Sequence, residues 1–219
     1  MIFRIPAGDA RVRAVLGQNV GMPRPSRRAE RRLAILEAAR DVAVHEGAAG
    51  TTLRAIATAA GMEPSAVLYY FDGLDELIRE LVYAASDRFI ETIHVAVAEA
   101  PSPAARLVAA IEAGSTGGLA GDESRILYEF WSLGLRDPLL NDADHALDRR
   151  QAEIYREILD EGVAAGVFRP RLDVDGVAWA LVALEDGLVV DILAGTKTRD
   201  EVTALIRSVA ESMLDANLP

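Results

Sequence analysis

Cysteine is absent from the 219 residues, which excludes a disulfide framework, a thiol nucleophile and a cysteine-bound metal. The three histidines, His45, His94 and His145, stand far apart and in no paired spacing, so a histidine metal site has nothing to rest on. No nucleophile elbow, phosphate-binding loop or strand-led dinucleotide fingerprint occurs. Asp173-Val174-Asp175-Gly176 opens like a calcium loop, but the rest of that pattern is missing. Neither catalytic residues, a cofactor nor a metal is therefore expected, and the chain does not read as an enzyme. A membrane span is lacking too. The longest apolar stretch, Gly176 to Gly195, carries Glu185 and Asp186 near its middle and Asp191 close behind. Charges at that depth cost a few kcal/mol each, so the stretch reads as a buried helix. Residues 1–21 contain charges and no apolar h-region, which argues against a secretory signal and for the cytoplasm. Aromatic residues make up only 5% of the chain and strict alternation is scarce, while alanine and leucine recur throughout; the class expected is all-α.

What is present is unevenly charged. The net charge is −11, yet residues 1–60 hold ten arginines against five acids, +5, and residues 61–219 hold thirteen basic against twenty-nine acidic groups, −16. A basic end on an acidic body suits a protein that meets phosphates at one end only.

The basic end contains a compact motif between Thr52 and Phe71. Thr52 is a good N-cap, and Leu53, Ile56, Ala57 and Ala60 follow at helical spacing. Gly61 stands where a helix ends in a left-handed residue, and Pro64 suits the first turn of a second helix whose inward face is Val67 and Phe71. Two short helices around a glycine turn make a helix-turn-helix, whose second helix can enter a DNA major groove. Ahead of it, Arg24, Arg27 and Arg28 precede a helix capped by Ser26 and closed by Gly47, with Leu36, Ala39 and Ala43 inward, assisted by Ile35 and Val42.

The runs R-R-L-A-I-L-E-A-A-R-D-V-A-V-H-E-G at 31–47, T-T-L-R-A-I-A at 51–57 and Y-Y-F-D-G-L-D-E-L-I at 69–78 resemble the N-terminal domain of the TetR/AcrR family of bacterial transcription regulators. The resemblance is specific from Arg28 to Val82. It implies a dimer that inserts the second helix of each hairpin into the major groove of double-stranded operator DNA. On this pattern Arg54 points at the groove, where an arginine can pair with a guanine edge. Pro64, Ser65 and Ala66 approach the bases, Tyr69, Tyr70 and Thr52 approach phosphates, and Arg24, Arg27 and Arg28 form a phosphate-binding arm. Three positions depart from the family: Glu63 replaces a serine or threonine, Leu68 a tyrosine, and Leu74 a phosphate-binding lysine. These departures predict weaker non-specific affinity and leave room for a helical dimeric interaction or ligand-binding module whose DNA binding is weakened or lost. Met22 opens M-P-R-P-S-R-R, which resembles a usual family N-terminus and offers a second start of translation.

Beyond Phe71 a long helix is expected from Leu74 or Asp75 to about Ala100, then one from Pro103 to about Ala113, and a flexible glycine-rich connection from Gly114 to Gly121. Asp122 is read as the cap of a helix rich in aromatics, Asp137-Pro138 as the start of another, and Asp173 as the cap of the apolar helix. Thr198 to Glu201 forms a capping box for the last of nine helices. The apolar helix is apolar on most sides, hence expected to be buried all round, and with the last helix it fits the family's four-helix dimer interface. Y-E-F-W-S-L-G-L-R-D-P-L-L and A-L-E-D-G-L, within 123–195, are loosely similar to the choline-responsive BetI type. Tyr128, Phe130, Trp131, Tyr155, Trp179, Glu185 and Asp186 are candidate lining for a pocket holding a cationic or amphipathic effector. The expected organisation is a flexible extension over 1–21, a helix-turn-helix domain over 22–82, and a helical ligand-binding and dimerisation domain over 83–219. The function implied is a ligand-responsive repressor of a palindromic operator, released by a small molecule.

Overall fold

The computed structural model describes residues 26–116 and 119–219, the side chains of residues 116, 119 and 120 aside. The extension over 1–21, Met22 and Arg24 lie outside the described residues, as does the centre of the glycine-rich connection. Among the described residues there are nine helices and no strand. They are α1 (Arg27–Gly50), α2 (Leu53–Ala59), α3 (Pro64–Val67), α4 (Leu74–Glu99), α5 (Pro103–Thr116), α6 (Leu119–Gly134), α7 (Pro138–Ala164), α8 (Val174–Leu193) and α9 (Arg199–Leu214).

The caps read from the sequence form. Ser26 Oγ accepts from Ala29 N at 3.2 Å, Thr52 Oγ1 from Ala55 N at 3.1 Å and Asp173 Oδ1 from Gly176 N at 2.6 Å. Thr198 and Glu201 complete a reciprocal capping box. The α2–α3 turn closes as a Schellman motif: Met62 N donates to Ala57 O at 2.9 Å and Gly61 N to Thr58 O at 3.1 Å. Gly61 takes φ +64, a conformation a side chain would strain. In α1 the inward stripe is Ile35, Ala38, Ala39, Val42 and Ala43; Leu36 is only half-buried, so the helix is rotated slightly from its expected face.

Two apolar cores share α4. Its first half, Leu77 to Ala85, packs with Ile35, Ala39, Ile56, Val67 and Phe71 of α1–α3 and their turn, together with Ile126 and Phe130 of α6 and Leu140 of α7. Its second half, Phe89 to Ile93, packs with α5, α7, α8 and α9. At about 1.5 Å per residue, α4 spans on the order of 40 Å and belongs to both. Helix α6 therefore reaches into the core of the helix-turn-helix. Removing Ile126 and Phe130 from water there contributes about 1.5–3 kcal/mol each.

One sequence expectation fails. The glycine-rich stretch is not a loop from Gly114 to Gly121: α5 continues to Thr116 and α6 begins at Leu119, so Asp122 lies in the first turn of α6 instead of capping it. Gly114 is buried because the Glu185 carboxylate crosses it; a Cβ there would stand 2.7 Å from Oε1. Close approach, not flexibility, requires that glycine. In the single chain α8 leaves one side uncovered. Trp179, Ala183, Gly187 and Val190 form an exposed stripe, because α7 and α9 cover only the other sides.

Candidate nucleic-acid interface and ligand cavity

The helix-turn-helix presents one exposed face. Arg54 lies on it with no ion-pair partner among the described residues, and Thr52, Ser65 and Tyr69 are exposed beside it. Pro64, Ala66 and Tyr70 are half-buried. The Thr52 hydroxyl is occupied in capping α2. Arg27 and Arg28 are exposed at the head of α1, and the Arg28 guanidinium lies 5.5 Å from the ring centroid of Tyr69. This cation–π contact joins the basic arm to the end of the recognition segment. Tyr69 in turn packs edge-on against Tyr70, centroids 5.1 Å apart.

A residue the sequence did not single out holds this segment in place. Arg32, from α1, stacks 4.1 Å over the Phe71 ring. Its guanidinium also donates to the Tyr70 carbonyl and to Glu76 and Glu80 of α4. Glu76 additionally accepts from Asp72 N, and that bond, more than the ion pair, holds its carboxyl below the usual range. Glu63 is exposed at the N-cap of α3 with its side chain uncapped, so its negative charge stands free at the groove-facing end.

A cavity of about 400 Å³ opens among α4, α5, α6, α7 and α8. Phe89, Leu127, Leu147 and Val189 form apolar walls, while Tyr128 and Trp131 from α6 supply aromatic edges. Four carboxylates border it: Asp144 and Asp148, one turn apart on α7, and Glu185 and Asp186 on α8. Among the described residues, the lining contains no basic side chain. Glu185, 2% exposed, is held from behind, with Tyr155 Oη donating to Oε1 at 2.5 Å and Gln151 Nε2 donating to Oε2. Tyr128 Oη donates to the Asp186 carbonyl at 2.7 Å, and the Trp131 indole donates to Asp144.

These acids hold protons unusually well. Burial raises Glu185 to about 8, with the bonds from Tyr155 and Gln151 pulling the other way and the charge of Asp186 adding to the rise. Asp186, open to solvent on its outer side, rises to about 7 through burial of its inner side and the charges of Asp148 and Asp144. Burial and Asp144 raise Asp148 to about 6, and burial raises Asp144 itself. Loss of hydration and nearby like charges both disfavour the ionised form.

Of the residues expected to line a pocket, Tyr128, Trp131, Glu185 and Asp186 border the cavity. Phe130 does not; it turns inward on α6, 2% exposed, into the core of the DNA-binding end. Tyr155 stands behind Glu185, and Trp179 lies on the exposed stripe of α8. Sequence reasoning missed Asp144, Asp148 and Gln151. Their i, i+4 acidic spacing in N-D-A-D-H-A-L-D was visible, but resembles an ordinary solvated helix face.

Residues 103–215 match the family described as BetI-type transcriptional repressor, C-terminal, and residues 35–81 match bacterial regulatory proteins, tetR family. The HTH-type transcriptional repressor KstR2 of Mycolicibacterium smegmatis is 28% identical over 151 residues, 69% of this chain and 74% of that protein. The HTH-type transcriptional regulator BetI of Burkholderia lata is 28% identical over 169 residues, 76% and 84% of the two chains. Among solved structures, a Saccharomonospora viridis protein in complex with choline aligns with a TM-score of 0.73 at 26% identity, covering 84% of this chain and 97% of that one. The Bacillus subtilis regulator FadR in complex with stearoyl-CoA shares the fold, with a TM-score of 0.64 at 21% identity, covering 84% and 98%.

Proposed function

The chain belongs to the TetR family of bacterial transcription regulators, with a BetI-type repressor C-terminal region, and on that premise we propose how this ligand-responsive DNA-binding repressor works. It binds a palindromic operator as a homodimer, and a small molecule in the cavity of α4–α8 releases it. Residues 22–82 act as the DNA-binding unit and residues 83–219 as the ligand-binding and dimerisation unit, in the cytoplasm. Arg54 reads a base edge. Ser65, Pro64 and Ala66 approach the groove floor, and the phosphates are met by Tyr69, Tyr70, the α2 end at Thr52, and Arg24, Arg27 and Arg28.

The dimer forms through α8 and α9. The exposed stripe of Trp179, Ala183, Gly187 and Val190 on α8, beside exposed Leu205 on α9, supports this reading: two small residues let a second α8 approach closely between bulky neighbours. A two-fold dimer also supplies the spacing of about 34 Å that paired recognition elements require.

The effector is an organic cation with an apolar part. FadR, with its stearoyl-CoA, indicates that the fold itself does not dictate ligand charge; the lining does. Four carboxylates, two aromatic edges and no lysine or arginine favour a cation, as in the choline complex of the Saccharomonospora viridis protein.

One observation carries the proposal: α6 has the cavity on one face and the DNA-binding end on the other. Tyr128 and Trp131 border the cavity, while Glu123 and Glu129 of the same helix bond to Arg40 and to Ala48 N of α1. A ligand that moves α6 must move α1, and so bias the equilibrium between DNA-binding and released forms. The test is a gel shift at low salt with the DNA upstream of the protein's own gene. A retarded complex is expected, and its absence at low salt defeats the repressor reading.

A further inference from the structure

Several of the chain's acids are ion-paired. Glu123, Glu80, Glu76, Asp137, Asp87, Glu161 and Asp191 all meet an arginine or lysine. The four carboxylates around the cavity do not: among the described residues none of them forms an ion pair. On α7, His145 and Arg149 are exposed and outside the lining; His145 acts on Asp144 and Asp148, and Arg149 on Asp148, against the effect of burial. From α4 the neighbour is Phe89; α5 offers Gly114, with Ser115 behind it, and α6 offers Ser124, Tyr128 and Trp131, so among the described residues no element places a basic side chain in the lining.

The arrangement is also not that of a metal site. Among the described residues no three acidic or histidine side chains gather closely enough to hold one ion. The acids are instead distributed around the walls. Asp144 and Asp148 stand on α7, Glu185 is buried against Gly114, and Asp186 is exposed on its outer side, with Leu147, Leu127 and Val189 in the same lining. A single quaternary ammonium offers these four carboxylates one charge and no N–H. A chain carrying several separated ammonium groups meets them in turn, each donating hydrogen bonds while its methylenes lie on the apolar walls.

We propose that the effector of this cavity is a polyvalent organic cation, an aliphatic oligoamine with at least two protonated nitrogens. This rests on the reading of the cavity as the effector site and names its ligand class. Because Asp148, Asp186 and Glu185 titrate at about 6, 7 and 8, an oligoamine competes with protons for them. Its affinity rises with pH across that range, and binding releases protons.

Calorimetry on the full chain tests this without DNA, since an oligoamine also binds phosphates. The probes are spermidine, 1,4-diaminobutane, choline and uncharged 1,8-octanediol at one ionic strength. Spermidine is expected to bind about tenfold or more tighter than choline at about pH 8. It should lose affinity towards pH 6 and show proton release in buffers of different ionisation enthalpy. D148N should remove most of the spermidine advantage. D186N provides a second variant, and thermal unfolding checks that both fold. Choline or octanediol binding as tightly as spermidine, undetectable spermidine binding, or D148N binding spermidine as the parent does would each overturn the proposal. Operator retention separates it from the repressor reading. Spermidine that binds as described yet leaves operator affinity unchanged upholds the oligoamine site and defeats its role as effector site. Choline that releases the operator, with the effect lost in W131A, while spermidine fails to bind defeats the oligoamine and leaves the effector site standing.

Discussion

Glu123 Oε1 on α6 accepts from Arg40 Nε on α1 at 2.8 Å, and the glutamate is only 1% exposed. Arg88 Nε of α4 donates to the same oxygen at 3.0 Å, and Arg40 reaches Asp122 as well at 3.1 Å. A carboxylate from the helix that walls the cavity thus joins the first helix of the DNA-binding end to the helix that runs between both cores. E123A leaves two guanidinium groups without their buried counter-charge. It is expected to lower unfolding stability by about 3–5 kcal/mol, measured by urea denaturation. A loss under about 1 kcal/mol would show that the contact is solvated and does not clamp the two ends.

Arg54 is the only lysine or arginine between Arg40 and Arg79, and it stands exposed and unpaired on the recognition face. R54A should therefore weaken operator binding by about 1–3 kcal/mol in fluorescence anisotropy and relax the preference at one base pair per half-site. A uniform loss across all sequences would reassign it to a phosphate.

Folded-state protonation of the cavity acids makes stability fall as pH rises. Between its ordinary value near 4.5 and about 8, Glu185 keeps a proton in the folded chain that the unfolded chain has released. Unfolding there gives up protons, and the stabilising contribution is lost progressively towards pH 8. Asp148 and Asp186 act in the same direction up to about 6 and 7. The carboxyls held low, Glu76 and the caps Asp137 and Glu201, oppose this only in more acid solution, below their ordinary range. Denaturation at about pH 5.5, 7 and 8.5 is expected to show decreasing stability, and E185Q, neutral throughout, a flatter profile. A profile rising from pH 5.5 to 8.5 would contradict the burial of these acids.

Trp179 is 45% exposed at one end of the proposed dimer stripe. W179E places a charge where a second α8 would pack, and sedimentation velocity should show conversion from dimer to monomer with the helical circular dichroism retained. A dimer that survives the substitution would move the interface elsewhere.

Local chemistry was largely legible. Caps at Ser26, Thr52, Asp173 and Thr198, the turn at Gly61 and the inward residues of the helix-turn-helix depend on neighbours within a few positions, so the sequence displays them directly. The candidate cavity was half legible. Tyr128 and Trp131 lie on one face of α6 while Phe130 between them lies on the other, a distinction set by helix phase against two different cores. Gly114 looked like loop composition because the side chain that needs its space, Glu185, lies seventy-one positions away.

By itself, then, the chain determined an all-α fold, a basic helix-turn-helix end and an apolar eighth helix, since propensity, capping and hydrophobic period act over one or two turns. Only the tertiary structure decided that α6 belongs to both cores, that Arg32 holds the recognition segment, and that four unpaired carboxylates from α7 and α8 border one cavity. Those relationships depend on which faces of distant helices meet. Burial and mutual repulsion, which no stretch of sequence carries alone, give the acids their raised affinity for protons.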